Sequence, residues 1–549
     1  MVDAALLASL IIIPILLLFF NILVIARYVD RDCIKGHYPS LILVIILLFV
    51  AEFTVFLFPI DIGNKAGLSN LTGDPSSVTT GSIDIALLYE GLFFTIVFLL
   101  IFVVPFAIFY YEESDEGTEP TRIRKLCCCN LHQALCISIL YEIIVIFIAG
   151  SILAVSFTLA SKAKIEVSSV IITATVFELP SISQVACGNG ACSWRKNILS
   201  IDTTFIIYSA ALVCGFSNIL FSIYTGVGFV ALPYYGVMNF LSRPRILSAM
   251  DAMNARGKLR VRSSELFEIA NDLGKRMAEA AEENFLVRSQ LSQSNTTTFV
   301  FGWFSSKARR NAGHLSELNR LKILSTSLEK DLEAFSLSDP IRWRQVYNPW
   351  LFVTQLAGGL VAAVFSLLWL LHIILYMLIS PPILGFFNTA LTAMDKSFPP
   401  LSTLLLFILA SHLLFSAISG AFAFGTRIFL INVHSMERGK TLLNSFFFNA
   451  GLILLLTLPI VQFLRDAFAS YASHSDTLVF GEQFRSIDGF RTLYQYNAYL
   501  FLMLTFSLLA LLYFSFCPSR DEQTKALLKK LREHIKKRPA REIELTSWK

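Results

Sequence analysis

Nine uninterrupted apolar stretches divide this chain, at 4–26, 41–60, 85–111, 134–160, 203–232, 350–379, 401–424, 441–464 and 494–516. A hydrocarbon core about 30 Å thick needs roughly 20 residues of helix to cross it, and each stretch suffices. None alternates apolar and polar residues with period two, which favours helices over a transmembrane barrel. The first stretch sits where a signal peptide would. It lacks a basic leading region, runs too long and is followed by Arg27, so it reads as a retained anchor.

Polar intervals predict the rest. Residues 234–349 form the only sizeable soluble part, with helical periodicity over 247–291 and 309–338. In the second segment Leu315, Leu318, Leu321, Leu324, Leu328 and Leu332 step by three or four residues among charged ones. Residues 292–298 read as a turn, so the loop reads as an antiparallel helical hairpin beneath the membrane. Two amphipathic helices lying on the bilayer surface are the competing reading. The expected class is an all-α polytopic membrane protein of about nine transmembrane helices, with a cytosolic helical hairpin between spans five and six. Its expected divisions are a membrane bundle at 1–233 with a lumenal loop at 161–202, the cytosolic loop at 234–349, a second bundle at 350–517 and a basic tail at 518–549.

Composition strengthens this picture. Of 549 residues, 55% are hydrophobic and only 15% charged, with 48 phenylalanines. Soluble domains average about 25% charged residues, so lipid must solvate much of this chain. The modest glycine, proline and cysteine counts exclude collagen-like, disordered and disulfide-dense classes.

The net charge of +5 hides a strong segregation. Of the 45 Lys and Arg residues, 36 fall in the segments after spans one, three, five, seven and nine, and 9 in the alternate segments. Long loops obey the positive-inside rule weakly, and without the 234–349 loop the split is still 19 to 9. The N-terminus is therefore expected in the lumen or outside, and the C-terminus in the cytosol. The basic tail could attract anionic lipid; a plain cytosolic stop explains it as well.

Two marks fit this orientation. Cys187 and Cys192 lie in the lumenal loop, spaced closely enough to form a disulfide. The glycosylation sequon at Asn70 is also lumenal, whereas the one at Asn295 lies on the cytosolic side and reads as a chance match. The other seven cysteines are expected to be reduced. Three of them, Cys127, Cys128 and Cys129, adjoin span four and are candidates for palmitoylation. Inert thiols are equally compatible, and zinc would need further ligands.

No phosphate loop, HExxH, GxSxG or kinase signature is present, and the eight histidines form no metal-ligand spacing. A non-enzyme without metal, cofactor or nucleic-acid site is expected. Glu52 and Glu142 lie inside spans, where an uncompensated carboxylate costs about 2.5–3.5 kcal/mol even on the lenient insertion scale. They face a cavity and bind or relay a cation, or they are protonated and hydrogen-bonded between helices. Asp61, His372, His412, Asn218, Asn444 and Asn449 are further intramembrane polar positions, most simply interhelical hydrogen-bond partners. Pro105 is the expected interior break. Pro59, Pro233 and the Pro381-Pro382 pair are expected to end their spans.

Several of these residues carry a likeness. Phe58-Pro59-Ile60-Asp61-Ile62, Pro105-Phe106 followed by Phe109-Tyr110-Tyr111-Glu112-Glu113, and Gly228 followed by Ala231-Leu232-Pro233 resemble the lipocalin-receptor/limb-region-like (LIMR) family of membrane proteins. Within it they resemble most the branch that assists lysosomal cobalamin transport. That resemblance implies nine spans, a large cytosolic loop after span five, and a lysosomal or endosomal protein that escorts cobalamin export, with an ABC-type exporter as partner. It also implies endocytic relatives, for which adaptors would be partners; a homo-oligomer is a further option. The short basic tail departs from the acidic, serine-rich ending associated with the branch. A tyrosine sorting pattern at Tyr234-Tyr235-Gly236-Val237 abuts the membrane and reads as structural. A rival to both readings is an autonomous transporter that uses Glu52 and Glu142.

Overall fold

The computed structural model describes residues 2–29, 38–72, 85–115, 133–172, 192–241, 243, 247–291, 349–379, 381–424, 441, 443–472, 477–487 and 489–516, with scattered positions in 321–336. Among them, nine helical segments are long and apolar enough to cross a membrane: Ile11–Tyr28, Tyr38–Ile62, Ile85–Tyr111, Leu135–Ala160, Phe205–Leu241, Pro349–Leu378, Pro400–Phe424, Ser445–Ala467 and Ala498–Phe516. These are the nine that the hydrophobic pattern marks out.

In chain order the first helices are α1 (Val2–Tyr28), α2 (Tyr38–Thr72), α3 (Ile85–Phe98), α4 (Val104–Asp115) and α5 (Gln133–Ala160). Strands β1 (Lys162–Ile172) and β2 (Cys192–Asp202) follow, then α6 (Phe205–Leu241) and α7 (Ala249–Leu291). The remainder are α8 (Pro349–His372), α9 (Phe386–Ser397), α10 (Pro399–Phe424), α11 (Leu443–Ala467), α12 (Thr477–Ser486), α13 (Arg491–Gln495) and α14 (Ala498–Phe516). Two compact units result, one of Met1–Tyr235 with Gly359–Leu512, the other of Gly236–Gly358 with Tyr513–Lys549.

In the first unit α2 packs on α1, α10 and α11. Apolar surface gains nothing by leaving lipid for another helix, so such contacts depend on close packing and hydrogen bonds. One core joins α1–α3, the start of α6 and the first half of α11; a second joins α8–α10 with the later turns of α6 and α11. Trp369 is fully buried in the second, ringed by Phe387, Phe463 and Phe468 at centroid distances of 5.4, 5.6 and 5.7 Å.

Glycines bring three helices into backbone contact. A Cβ on Gly228 of α6 would overlap the Ser416 carbonyl of α10, and one on Gly420 would overlap the Tyr224 carbonyl. On the other side of α6, a Cβ on Gly226 would overlap the Met503 carbonyl of α14. Ser416 and Gly420, four residues apart, form the small-residue ridge that such approaches need.

The prolines divide differently from expectation. Pro59 and Pro233 do not end their helices: α2 runs on to Thr72 and α6 to Leu241. Pro14 and Pro459 also lie inside helices. In a packed bundle neighbouring helices and local adjustments absorb the lost N–H, which explains why helices carry through. Pro105 does mark an interior break, because a π-helical turn, Leu99–Val103, precedes it and separates α3 from α4. A second π-helical turn, Ile373–Leu378, extends α8 until Ile379 turns extended just before Pro381-Pro382.

The 161–202 interval, expected as a loop, contains an antiparallel ribbon whose register runs from Lys162↔Asp202 to Ile172↔Cys192. Thr203 closes its base by donating both N–H and hydroxyl to the Ser161 carbonyl, at 3.1 and 2.6 Å. A bridge from Ala163 to Ile487 ties β1 to the residue after α12. The all-α class thus holds for the spans, with this ribbon added outside them. Cys136, expected as a reduced thiol, is disulfide-bonded.

In the second unit, α7 meets the described residues of 321–336. Arg262 bonds to Asp331 at 2.6 Å, Leu266 packs with Leu324, and Arg256 lies 5.8 Å from the Phe335 ring centroid. The pairings run in opposite directions along the two segments.

Candidate functional site

The last turn of α11 concentrates polar side chains. Gln462, Arg465 and Asp466 share one face because they stand three and four residues apart. Gln462 donates to Asp466 at 3.3 Å, and Arg465 bonds to Asp466 at 2.7 Å. The second Arg465 nitrogen bonds to Glu482 of α12. Gly481 makes room for this arginine, since a Cβ there would sit 2.6 Å from Arg465 Cδ.

Of these groups Gln462 and Asp466 border a cavity of about 400 Å3, lined also by Asn218, Tyr376, Arg485, Tyr494, Asn497 and Tyr499; Arg465 and Glu482 do not line it. Asn497 adopts a left-handed backbone (φ 53°) that lets α13 turn into α14, a conformation asparagine tolerates better than most residues. Asn218 of α6 donates its amide to the Tyr494 hydroxyl at 2.6 Å, and Tyr499 donates to the Gly215 carbonyl at 3.1 Å. Burial pushes the Tyr494 phenol well above the ordinary tyrosine value, and the nearby Cys214 thiol pushes in the same direction. Tyr494 is therefore a neutral phenol. With an arginine, an aspartate and neutral amide and phenol groups on one wall, the cleft can hold a small polar or zwitterionic molecule by hydrogen bonds and paired charges.

The sequence-marked residues are dispersed. Glu52 of α2 accepts the Asn21 amide of α1 at 3.0 Å and borders a separate chamber. Glu142 of α5 is buried, and its two carboxylate oxygens have no hydrogen-bond partner among the described residues; it lines neither cavity. Asp61 is fully buried near the end of span two. His372 is fully buried, its ring nitrogen 2.9 Å from the Ala467 carbonyl and its ring stacked on Tyr376 at 4.8 Å. His412 lies between Phe229 and Phe365 and bonds to Ser366 at 3.2 Å. Cys127, Cys128, Cys129 and Cys187, and the side chains of Asn70, Cys192 and Asn444, lie outside the described residues. Among the described residues no cluster of three or more His, Cys, Asp or Glu could hold a metal ion.

The Arg465–Asp466–Glu482 network escaped the sequence reading. There Arg465 and Arg485 served only as charges on one side of the membrane. The signal was the glutamine, arginine and aspartate at helical spacing on a span's end, followed closely by Glu482 and Arg485.

A profile of the LMBR1-like membrane protein family matches residues 6–512. A LIMR family protein of Oryza sativa subsp. japonica is 25% identical over 92% of this chain and 94% of its own length. One from Arabidopsis thaliana is 26% identical over 90% and 93%, and one from Dictyostelium discoideum 27% over 86% and 90%. No solved structure matches.

Proposed function

Because this chain belongs to the LMBR1-like membrane protein family, we propose that it is a non-enzymatic escort, assisting export of cobalamin through a partner exporter of the ABC type. In this reading it resides in a lysosomal or related endosomal membrane with its N-terminus lumenal and its C-terminus cytosolic. The observation that carries the escort role is the separation of the groups a transporter would use. The Glu52 chamber and the Asp466 cleft share no lining residue, and Glu142 borders neither. A relay needs its groups within hydrogen-bond reach or one water apart, and neither of the two described cavities joins Glu52 to Glu142 or to Asp466.

Cavity size supports the same reading. The volumes of about 400 and 540 Å3 suit ordinary small ligands, and a corrinoid with its nucleotide tail exceeds them. The cargo would then cross through the partner.

Affinity isolation of the tagged protein in mild detergent tests this. An ABC-type exporter should co-purify, and cobalamin flux should survive replacement of both glutamates by glutamine. Loss of flux in that double variant, with normal membrane delivery, would establish an autonomous transporter instead. One observation favours a receptor as second reading: the β-ribbon exposes Ile198 and Leu199, and a two-stranded ribbon offers unpaired edges to an extended ligand. Recovery of clathrin adaptors and a lumenal protein, without an exporter, would select it.

A further inference from the structure

The chamber beside Glu52 has a composition unlike the cleft. It occupies about 540 Å3 between α1, α2, α10 and α11, and its walls are aliphatic and aromatic apart from a few groups. Three polar side chains, Asn21, Glu52 and Asn449, face it from three different helices. Asn449 is 3% exposed, and both its Oδ1 and Nδ2 lack a hydrogen-bond partner among the described residues; Asn21 is 1% exposed and its Oδ1 lacks one too. Leaving an amide unsatisfied in hydrocarbon is expensive, and native structures seldom do so without a reason.

The side of the chamber away from the core is bounded by Phe20, Phe415 and Phe422, which are 42, 45 and 41% exposed. All three lie within membrane spans, so what reaches them is lipid, and the chamber communicates sideways with the bilayer. An occupant must be mostly hydrocarbon. Its polar part must both donate and accept, because Asn449 offers one donor and one acceptor and Asn21 an acceptor. It must also be compact and uncharged, since Glu52 lies near the middle of its span, beyond the reach of a phospholipid headgroup, and a carboxylate would be placed against another carboxylate. A hydroxyl meets these conditions.

We propose that this chamber binds a lipid whose polar end is a single uncharged hydroxyl, a sterol or long-chain alcohol, admitted laterally from the bilayer with its hydroxyl between Asn449, Asn21 and Glu52. The assignment is independent of the escort reading and stands whether or not an exporter binds.

The test uses the full-length protein in phosphatidylcholine nanodiscs and a photoactivatable sterol carrying a free hydroxyl. Cross-links should concentrate on the chamber-lining turns of α1, α10 and α11 and be competed by excess cholesterol. Acetylating the probe's hydroxyl should lower capture about tenfold, the effect of one lost buried hydrogen bond. Asn449→Leu should lower capture of the free probe by a similar factor while leaving the melting temperature unchanged or raised, because it removes two unpaired atoms at similar volume. Ala450→Phe, which fills the chamber, should abolish capture. Equal capture of the free and acetylated probes by the unaltered protein would overturn the proposal without any variant having to fold. So would cross-links spread evenly around the lipid-facing perimeter, or displacement by octadecylamine but not by cholesterol.

Discussion

An arginine that is 5% exposed at the end of a membrane span must carry its counterions with it. Removing it leaves the carboxylates of Asp466 and Glu482, 20 and 40% exposed, without the cation between them, a loss that water softens but does not cancel. Arg465→Ala is therefore expected to lower the melting temperature in detergent sharply. Arg262→Ala should cost under about 1 kcal/mol, because its side chain is 27% exposed and its partner Asp331 34%. Equal losses in the two variants would show that Arg465 is not held as described. Tyr494 yields a spectroscopic prediction. An ordinary tyrosine ionises near pH 10, but burial holds this one neutral well beyond that. Stability from its burial is intact below pH 10 and declines above it, as the unfolded chain releases a proton that the folded chain keeps. Tyr494→Phe should thus leave the phenolate absorbance of the folded protein unchanged through pH 10.5; a deficit centred near pH 10 would contradict the burial.

At the scale of elements, the spans were legible because roughly 20 residues of unbroken apolarity have few other uses. The same signal could not locate the ribbon. Its apolar positions Ala163, Ile165 and Val167 alternate over only a few residues, and the structure adds a tertiary anchor at Ile487 that lies far away in the sequence. Nor could it rank the prolines, since whether a helix continues past Pro233 depends on what packs around it. Pro233→Ala is expected to be neutral or stabilising, as it returns an N–H to a helix that already continues. Pro105→Ala should destabilise. The π-helical turn before it shifts the following residues and sets Val104 against Gly451, where a Cβ would come within 2.6 Å of Val104 Cγ1. Thermal unfolding of the two variants side by side checks the contrast. The candidate cleft was half legible: Asn218 stood out as an intramembrane amide, whereas Tyr494 meets it from 276 residues away, a distance no local pattern spans.

For the molecule as a whole, the asymmetry of 36 basic residues to 9 predicts one orientation. Peptide N-glycosidase should shift the unaltered protein and Asn295→Gln alike, and Asn70→Gln should show no shift; the reverse result would invert the topology. The glycine crossings bear on how such a bundle can move. Where α6 meets α10 at Gly228 and Gly420, and α14 at Gly226, carbonyls seat directly against the opposing backbone. Side chains that could swivel to permit sliding are absent from those contacts. Shear between these three helices would drive main chain into main chain, so they are expected to travel as one plate. Any opening of the bundle would then have to occur at the plate's margins rather than within it.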